Sequence, residues 1–422
     1  MESFYLTLFV CYMAYAYNRK CVALSMPKLI EEGLETSHAG LILSCQNVAM
    51  SFSKFTFGML SDRLNPLKMF AVGLFLTGSL TLLFSTSSSV FAFCTFWFLN
   101  GLAQGCGWPA LSKILRQRAD PANFGTLWSL LSASNNISGC ISPYLTAYLV
   151  MNFGSTAGIF SAGAYSVVLS IVLMFLIKTS FDSEAKETNT AEKIPKQQSS
   201  NASVSMKTLL KDPFLWLVTL TFMIVFCTKS TLVDWGQLYM KQERGLSLAQ
   251  GSAFTSTVEV GGFIGRLLAG YLSDIFVRRC NANKDNKTPA YQVRMTVAVA
   301  FLVGCIFSVH MFRTTLDEDT SLIWIMSLGF SSGASLYGMI AICGIAASES
   351  APSHMSGSAY AIAALGGNIG STMSGLPICY LAEQYGWSTV FLLLEIIIGV
   401  TSLLVVCFKN TQSTISLLKK ED

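Results

Sequence analysis

Charge is scarce in this chain. Its 28 Lys+Arg and 24 Asp+Glu make up 12% of 422 residues, about half the share of an ordinary soluble domain. Histidine is scarcer still, with three residues, His38, His310 and His354, all at the ends of apolar stretches. That leaves no histidine for a buried proton relay. The twelve cysteines form no Cys-x-x-Cys pair and no Cys/His cluster, and all but Cys280 fall in apolar runs, so they read as small apolar side chains rather than disulfide or metal sites. No His-Glu-x-x-His or paired catalytic carboxylates occur, which argues against an enzyme and a resident cofactor. No nucleic-acid partner is expected.

Apolar residues are abundant. They reach 52%, with a mean hydropathy of +0.51. At about twenty residues per span, twelve candidate spans centre near Tyr12, Ala49, Phe75, Leu99, Asn136, Val167, Met223, Gly261, Ala300, Phe330, Gly367 and Ile397. They lack the period-two alternation of barrel strands. Because backbone groups in hydrocarbon must be satisfied within a helix or a closed barrel, the predicted fold is an all-α membrane bundle of twelve helices in two six-helix halves. The first span lacks a basic start and a small-residue cleavage site, so it is read as retained rather than as a signal peptide.

Basic residues set the threading. With a cytoplasmic N-terminus, nineteen Lys and Arg fall in inner connections and the tail, against four outside and five within spans. Short cytoplasmic loops accumulate positive charge, so both termini are expected in the cytoplasm. The polar run around "SEAKETNTAEKIPKQQSSNAS" separates residues 1–178 from 212–408, with a cytoplasmic linker at 179–211 and a tail at 409–422. An internal repeat supports the division: "KFTFGMLSD" from Lys54 and "RLLAGYLSD" from Arg266 align at an offset of 212, as parallel repeats about a membrane-normal axis require.

Against this apolar background the buried charges stand out. Arg19 and Lys20 lie inside the first span and Lys229 inside the seventh; each costs about 2.5–3.5 kcal/mol at the bilayer centre on insertion scales. Such cations mark a site. Lys54 and Arg266 lie nearer the loops and read as snorkelling side chains or partners of nearby aspartates. Glu259 is seven residues before Arg266, on the same helix face, and reads as its partner. Polar and aromatic candidates for a cavity wall are Tyr15, Gln104, Trp108, Asn136, Asp234, Gln237, Tyr360 and Asn368; Tyr15 is four residues before Arg19, hence on its face.

Several segments carry a resemblance. Gly58, Asp62 and Arg63, repeated in part as Gly270 and Asp274, resemble the cytoplasmic loop signature of the major facilitator superfamily, with Asn65 where a second glycine is usual. "YNRK", "FWFLNGLAQGCGWPALSKILR", "VDWGQLY", "EVGGFIGRLLAGYLSD" and "SESAPSHMSGSAYAI", in that order, resemble the organophosphate:phosphate antiporter family and its endoplasmic-reticulum branch. The resemblance implies an antiporter of the reticulum membrane that exchanges glucose 6-phosphate for inorganic phosphate and works beside a lumenal phosphatase. It assigns phosphate binding to Arg19, Lys20 and Lys229; the polar candidates above are read as cavity lining and the loop motif as gating, and Lys20, about 100° around the helix from Arg19, has pairing with an acid as its other reading. Bacterial members usually carry arginine where Lys229 stands, and the animal carriers have histidine where Tyr360 stands. A proton-coupled symporter and a non-transporting phosphoester sensor remain the alternative readings.

Overall fold

The computed structural model describes residues 2–60, 64–118, 124–184, 209–282, 288–351 and 356–410. These form fourteen helices and no strand among the described residues. In the first half they are α1 (Glu2–Glu31), α2 (Thr36–Leu60), α3 (Pro66–Ser85), α4 (Val90–Gln104), α5 (Gly107–Arg118), α6 (Phe124–Phe153) and α7 (Ser155–Glu184). The second half holds α8 (Pro213–Gln242), α9 (Leu248–Ala282), α10 (Ala290–Thr314), α11 (Leu322–Glu349), α12 (Ser356–Met373), α13 (Leu376–Tyr385) and α14 (Trp387–Phe408). Two spans are broken, the fourth into α4 and α5 at Gly105 and Cys106, the eleventh into α12 and α13 at Ser374 and Gly375. Twelve crossings result. α7 continues to Glu184, past the boundary read at 178.

Local chemistry sets the helix starts. Asn65 caps α3, its side chain accepting from Leu67 N at 3.0 Å and Lys68 N at 3.2 Å, and Pro66 occupies the first helical position. That is why asparagine and proline serve where the loop signature has glycine: an Asx cap satisfies orphan N–H groups, and proline lacks one. Asp212 and Pro213 start α8 in the same way.

Packing then relies on small residues, because lipid offers helices no hydrophobic drive to associate. A Cβ on Gly333 of α11 would lie 1.9 Å from Val258 O of α9, and one on Gly261 of α9 only 2.0 Å from Phe330 O of α11. The backbones therefore touch. The outward face of α9 exposes Phe263, Leu267, Leu268 and Tyr271, a stripe suited to lipid.

Eight of the described spans are long and apolar enough to cross a membrane by length and composition alone. The four below that threshold are α1, α2, α6 and the α12/α13 pair. Three of these four carry the polar residues that line the central cavity described below, so low hydropathy here marks an inward-facing polar stripe.

The halves meet toward the face opposite the termini. There Lys241 of α8 pairs with Glu31 of α1 at 2.5 Å, and the Ser37 N–H at the start of α2 is capped by Glu383 of α13. Leu376 N donates to Ser44 Oγ at 2.8 Å and Asn47 Nδ2 to Ser371 O at 2.9 Å. Ser256 Oγ of α9 bonds Cys140 O of α6 at 2.8 Å. Lys54, near the end of α2 on the terminal side, lines the cavity.

Candidate functional site

One cavity of about 170 Å³ sits between the halves, lined by α1, α2, α8 and α12. Helical periodicity explains its walls. α2 contributes Leu43, Gln46, Asn47, Met50, Ser51 and Lys54, and α8 contributes Phe226, Lys229, Ser230, Val233 and Asp234; both series step by three and four residues, one face of each helix. Arg19, Lys20 and Ala23 come from α1, with Asn368 and Ser371 from α12.

Four cations therefore face one space: Arg19, Lys20, Lys54 and Lys229. Arg19 Nε donates to Gln104 Oε1 at 3.1 Å, which fixes the guanidinium against the first half. Lys20 is bonded instead to Glu259 of α9, whose carboxylate is 1% exposed. Tyr337 of α11 donates its hydroxyl to the same Glu259 oxygen at 2.8 Å. The Tyr337 ring lies 5.5 Å from Lys229 Nζ and 4.6 Å from the Arg266 guanidinium carbon, so one buried ring contacts two cations through its negative face. Gly139 of α6 makes room for this arrangement, because a Cβ there would meet Glu259 Cγ at 2.7 Å and Lys20 Nζ at 3.0 Å.

Some sequence expectations change here. Glu259 pairs with Lys20 across the halves, not with Arg266, which stacks on Tyr337; position on a single helix does not reveal which neighbour comes closer. Lys54 lines the cavity instead of snorkelling away from it. Tyr15 is not in the cavity: fully buried, it donates to Phe70 O of α3 at 2.9 Å. One turn from Arg19 the same face of α1 is already covered by α3 and the α4–α5 break. Trp108 packs on Tyr12, with ring centroids 5.4 Å apart, and Gln237 is buried between α8 and α9, donating to Thr255 Oγ1 at 3.2 Å. Neither lines the cavity.

Asn136 is buried on α6, three residues from Gly139, and its Oδ1 has no described partner; it too lies outside the lining. Tyr360 is half-exposed and sits edge-on to Phe222, which stacks on the cavity residue Phe226. Gln104 reaches the site through Arg19, while Asp234 and Asn368 line it directly. Of the loop motif, Gly58 lies in α2, and Asp62 and Arg63 fall outside the described residues. Gly270 lies in α9, and Asp274 pairs with Arg294 at 2.8 Å, away from the cavity. That arginine also binds both oxygens of Glu349, each at 2.8 Å.

The sequence reading missed Gln46, Asn47, Ser51, Ser230 and Ser371. A signal existed for the first three. With Lys54 they form a polar stripe at helical spacing in an otherwise apolar span.

The Tyr15 placement has a measurable consequence. Tyr15→Phe should lower stability by about 1 kcal/mol through the lost hydrogen bond while leaving ligand affinity in the purified protein unchanged within about twofold. Affinity loss beyond tenfold would put Tyr15 back in the site.

Comparison with known proteins agrees with this architecture. The family model of the Major Facilitator Superfamily matches residues 8–375. Among curated proteins, the chain is 26% identical over 418 residues to the membrane sensor protein UhpC of Escherichia coli, covering 97% of this chain and 92% of that one. It is 27% identical to a probable hexose phosphate transport protein of Chlamydia trachomatis (93% and 87% covered) and 26% identical to the glycerol-3-phosphate transporter of Bacillus subtilis (92% and 88%). In fold it is similar to an inward-facing, occupied bacterial homolog of the human lysosomal transporter Spinster, with a TM-score of 0.75, 12% identity and 97% of each chain covered. It is also similar to a D-xylose-proton symporter, at 0.66 and 14%, with 97% of each covered. With twelve crossings, two halves around a central cavity and a family match over most of its length, the chain belongs to the Major Facilitator Superfamily.

Proposed function

We propose that the chain is a sugar-phosphate carrier that exchanges glucose 6-phosphate for inorganic phosphate by alternating access. The observation that carries this is the charge of the cavity. Four cations and one carboxylate, Asp234, line it, and Glu259 behind the wall neutralises Lys20. A surplus of about two positive charges remains, which matches the −1.5 to −2 of a phosphomonoester near pH 7. A neutral sugar would leave that surplus unbalanced in the bilayer. The neutral groups around it, Gln46, Asn47, Ser51, Ser230, Asn368 and Ser371, supply donors and acceptors for hydroxyls.

Exchange of one anion for another restores the same charge balance in both directions, so it needs no titrating relay. His310 and Glu395 bond each other at 2.8 Å, on α10 and α14, helices that contribute nothing to the cavity. The relatives named as hexose phosphate and glycerol-3-phosphate transporters support the cargo class. The relative named as a sensor supports a second reading, in which the same cavity binds a phosphoester without moving it. Flux separates the two: reconstituted protein that binds glucose 6-phosphate yet carries none across the bilayer is a sensor.

The proposed address is the endoplasmic reticulum membrane, with both termini cytoplasmic and a lumenal phosphatase consuming the delivered ester. The charge count and the tail "SLLKKED" support it. Lys419 and Lys420 resemble a dilysine retrieval signal, which is read by a receptor and is not an anchor. Changing both to serine should leave exchange intact and move protein to the cell surface, visible by surface biotinylation. Retention of the double variant wholly in the reticulum would remove the tail as its sole address.

A further inference from the structure

We infer that Gln46 is a specificity-determining residue that reads a hydroxyl group of the cargo, and that an amide relay anchored on Arg19 fixes which end of Gln46 faces the cavity. The inference rests on the sugar-phosphate reading above and refines it. Arg19 can only donate hydrogen bonds, and its Nε donates to Gln104 Oε1 at 3.1 Å. With that oxygen committed as acceptor, Gln104 presents Nε2 to Asn100 Oδ1 at 3.0 Å and to Asn18 Oδ1 at 3.5 Å. Asn100 Oδ1 also accepts from Gln46 Nε2 at 3.2 Å, so two donors fill its two lone pairs. Asn100 Nδ2 in turn faces Thr81 Oγ1 at 2.9 Å, Asn18 Oδ1 at 3.1 Å and Thr77 O at 3.1 Å. Asn18 Nδ2 is left to face Ser166 Oγ at 3.3 Å.

The chain of bonds has one direction. Turning any single amide over would set carbonyl against carbonyl in a buried cluster, where an unpaired polar atom is costly; Asn18, Asn100 and Gln104 are 0%, 0% and 3% exposed. The direction is fixed at two points, by Arg19, which cannot accept, and by the Thr77 carbonyl facing Asn100, which cannot donate.

The far end of the relay lies in the cavity wall. Gln46 gives its Nε2 to Asn100, which leaves Oε1 as its free group, and none of the described hydrogen bonds is donated to that oxygen. A lone carbonyl acceptor repels the oxygens of a phosphate and suits a hydroxyl proton. The relay thus gives the cavity a polarity, with donors where Arg19 stands and an acceptor where Gln46 stands on the neighbouring helix. Inorganic phosphate, rich in acceptors, gains from the Arg19 end. A phosphomonoester carrying a hydroxyl several bonds from its phosphorus gains from both. The preferred cargo class is accordingly polyhydroxylated phosphomonoesters over phosphate alone or over esters of plain alcohols.

The test uses the purified full chain in liposomes, with three probes: inorganic phosphate, glucose 6-phosphate and the series of monodeoxyglucose 6-phosphates. Gln46→Met keeps the side-chain length and removes its hydrogen bonds. The ratio of the KM for glucose 6-phosphate to the KM for inorganic phosphate should rise about tenfold, the scale of losing one buried hydrogen bond to a substrate. One monodeoxy ester should be about tenfold worse than glucose 6-phosphate for the unmodified chain and equal to it for Gln46→Met. A Gln46→Met protein with the original ratio of glucose 6-phosphate to phosphate affinity overturns the inference, and so does one in which both exchanges fall together. Should that variant fail to insert, the unmodified chain decides: equal KM values across the deoxy series overturn it. Absence of phosphate homoexchange in the unmodified chain is a different result, and overturns the carrier reading itself.

Discussion

Replacing Arg19 or Lys229 with alanine is expected to abolish uptake of glucose 6-phosphate into phosphate-loaded liposomes while leaving the protein folded in the membrane. Each change removes a part-buried intramembrane cation rather than stranding one, so the apo protein is relieved of an unfavourable charge while the bound anion loses its partner. Truncating one member of a desolvated charge pair costs about 2–5 kcal/mol of binding, so affinity should fall at least about 30-fold. The two residues should differ under conservative exchange. Lys229 lies over the Tyr337 ring without a bonded carboxylate among the described contacts, so Lys229→Arg keeps charge and cation–π contact and should retain partial uptake. Arg19→Lys loses the Nε–H that holds Gln104 and should be the more damaging swap, since lysine lacks the planar fork. Wild-type exchange by either alanine variant would remove the cations from the mechanism.

The second large effect is expected at the Lys20–Glu259 bridge. Lys20→Met leaves the Glu259 carboxylate, 1% exposed, with Tyr337 alone, and breaking a buried pair in this way costs about 3–5 kcal/mol. Thermal unfolding in detergent should therefore shift downward sharply. The double variant Lys20→Met/Glu259→Met removes one positive and one negative charge, leaves the cavity's surplus unchanged, and should recover most of the lost stability. It should also bind glucose 6-phosphate within a few fold of the unmodified chain if the bridge is structural. A double variant as unstable as the single one would show that the bridge does not carry the stability, and one that is stable but blind to phosphate would return Lys20 to the phosphate site.

The fold was legible because the bilayer leaves so few options. A backbone in hydrocarbon must close its own hydrogen bonds, so hydropathy yields spans. Arg19, Lys20 and Lys229 were legible for the same reason, since an intramembrane cation is too costly to be incidental. Faces were less so. Tyr15 shares a helix face with Arg19 in sequence, yet α3 closes over it one turn away. Glu259 and Arg266 share a face too, yet the partner of Glu259 comes from the other half of the molecule, and no spacing within one helix encodes that meeting. Lys54 was misread because proximity to a loop suggested snorkelling. Its register with Gln46, Asn47 and Ser51 was the better guide.

The central claim is tested most directly by counterflow. Liposomes holding the purified chain and loaded with inorganic phosphate should accumulate glucose 6-phosphate against its gradient, while vesicles loaded with sulfate or chloride should not, and an imposed pH gradient should change neither result. Uptake driven by a pH gradient without internal phosphate would contradict the account in favour of a proton-linked symporter, and saturable binding with no flux would contradict it in favour of a sensor.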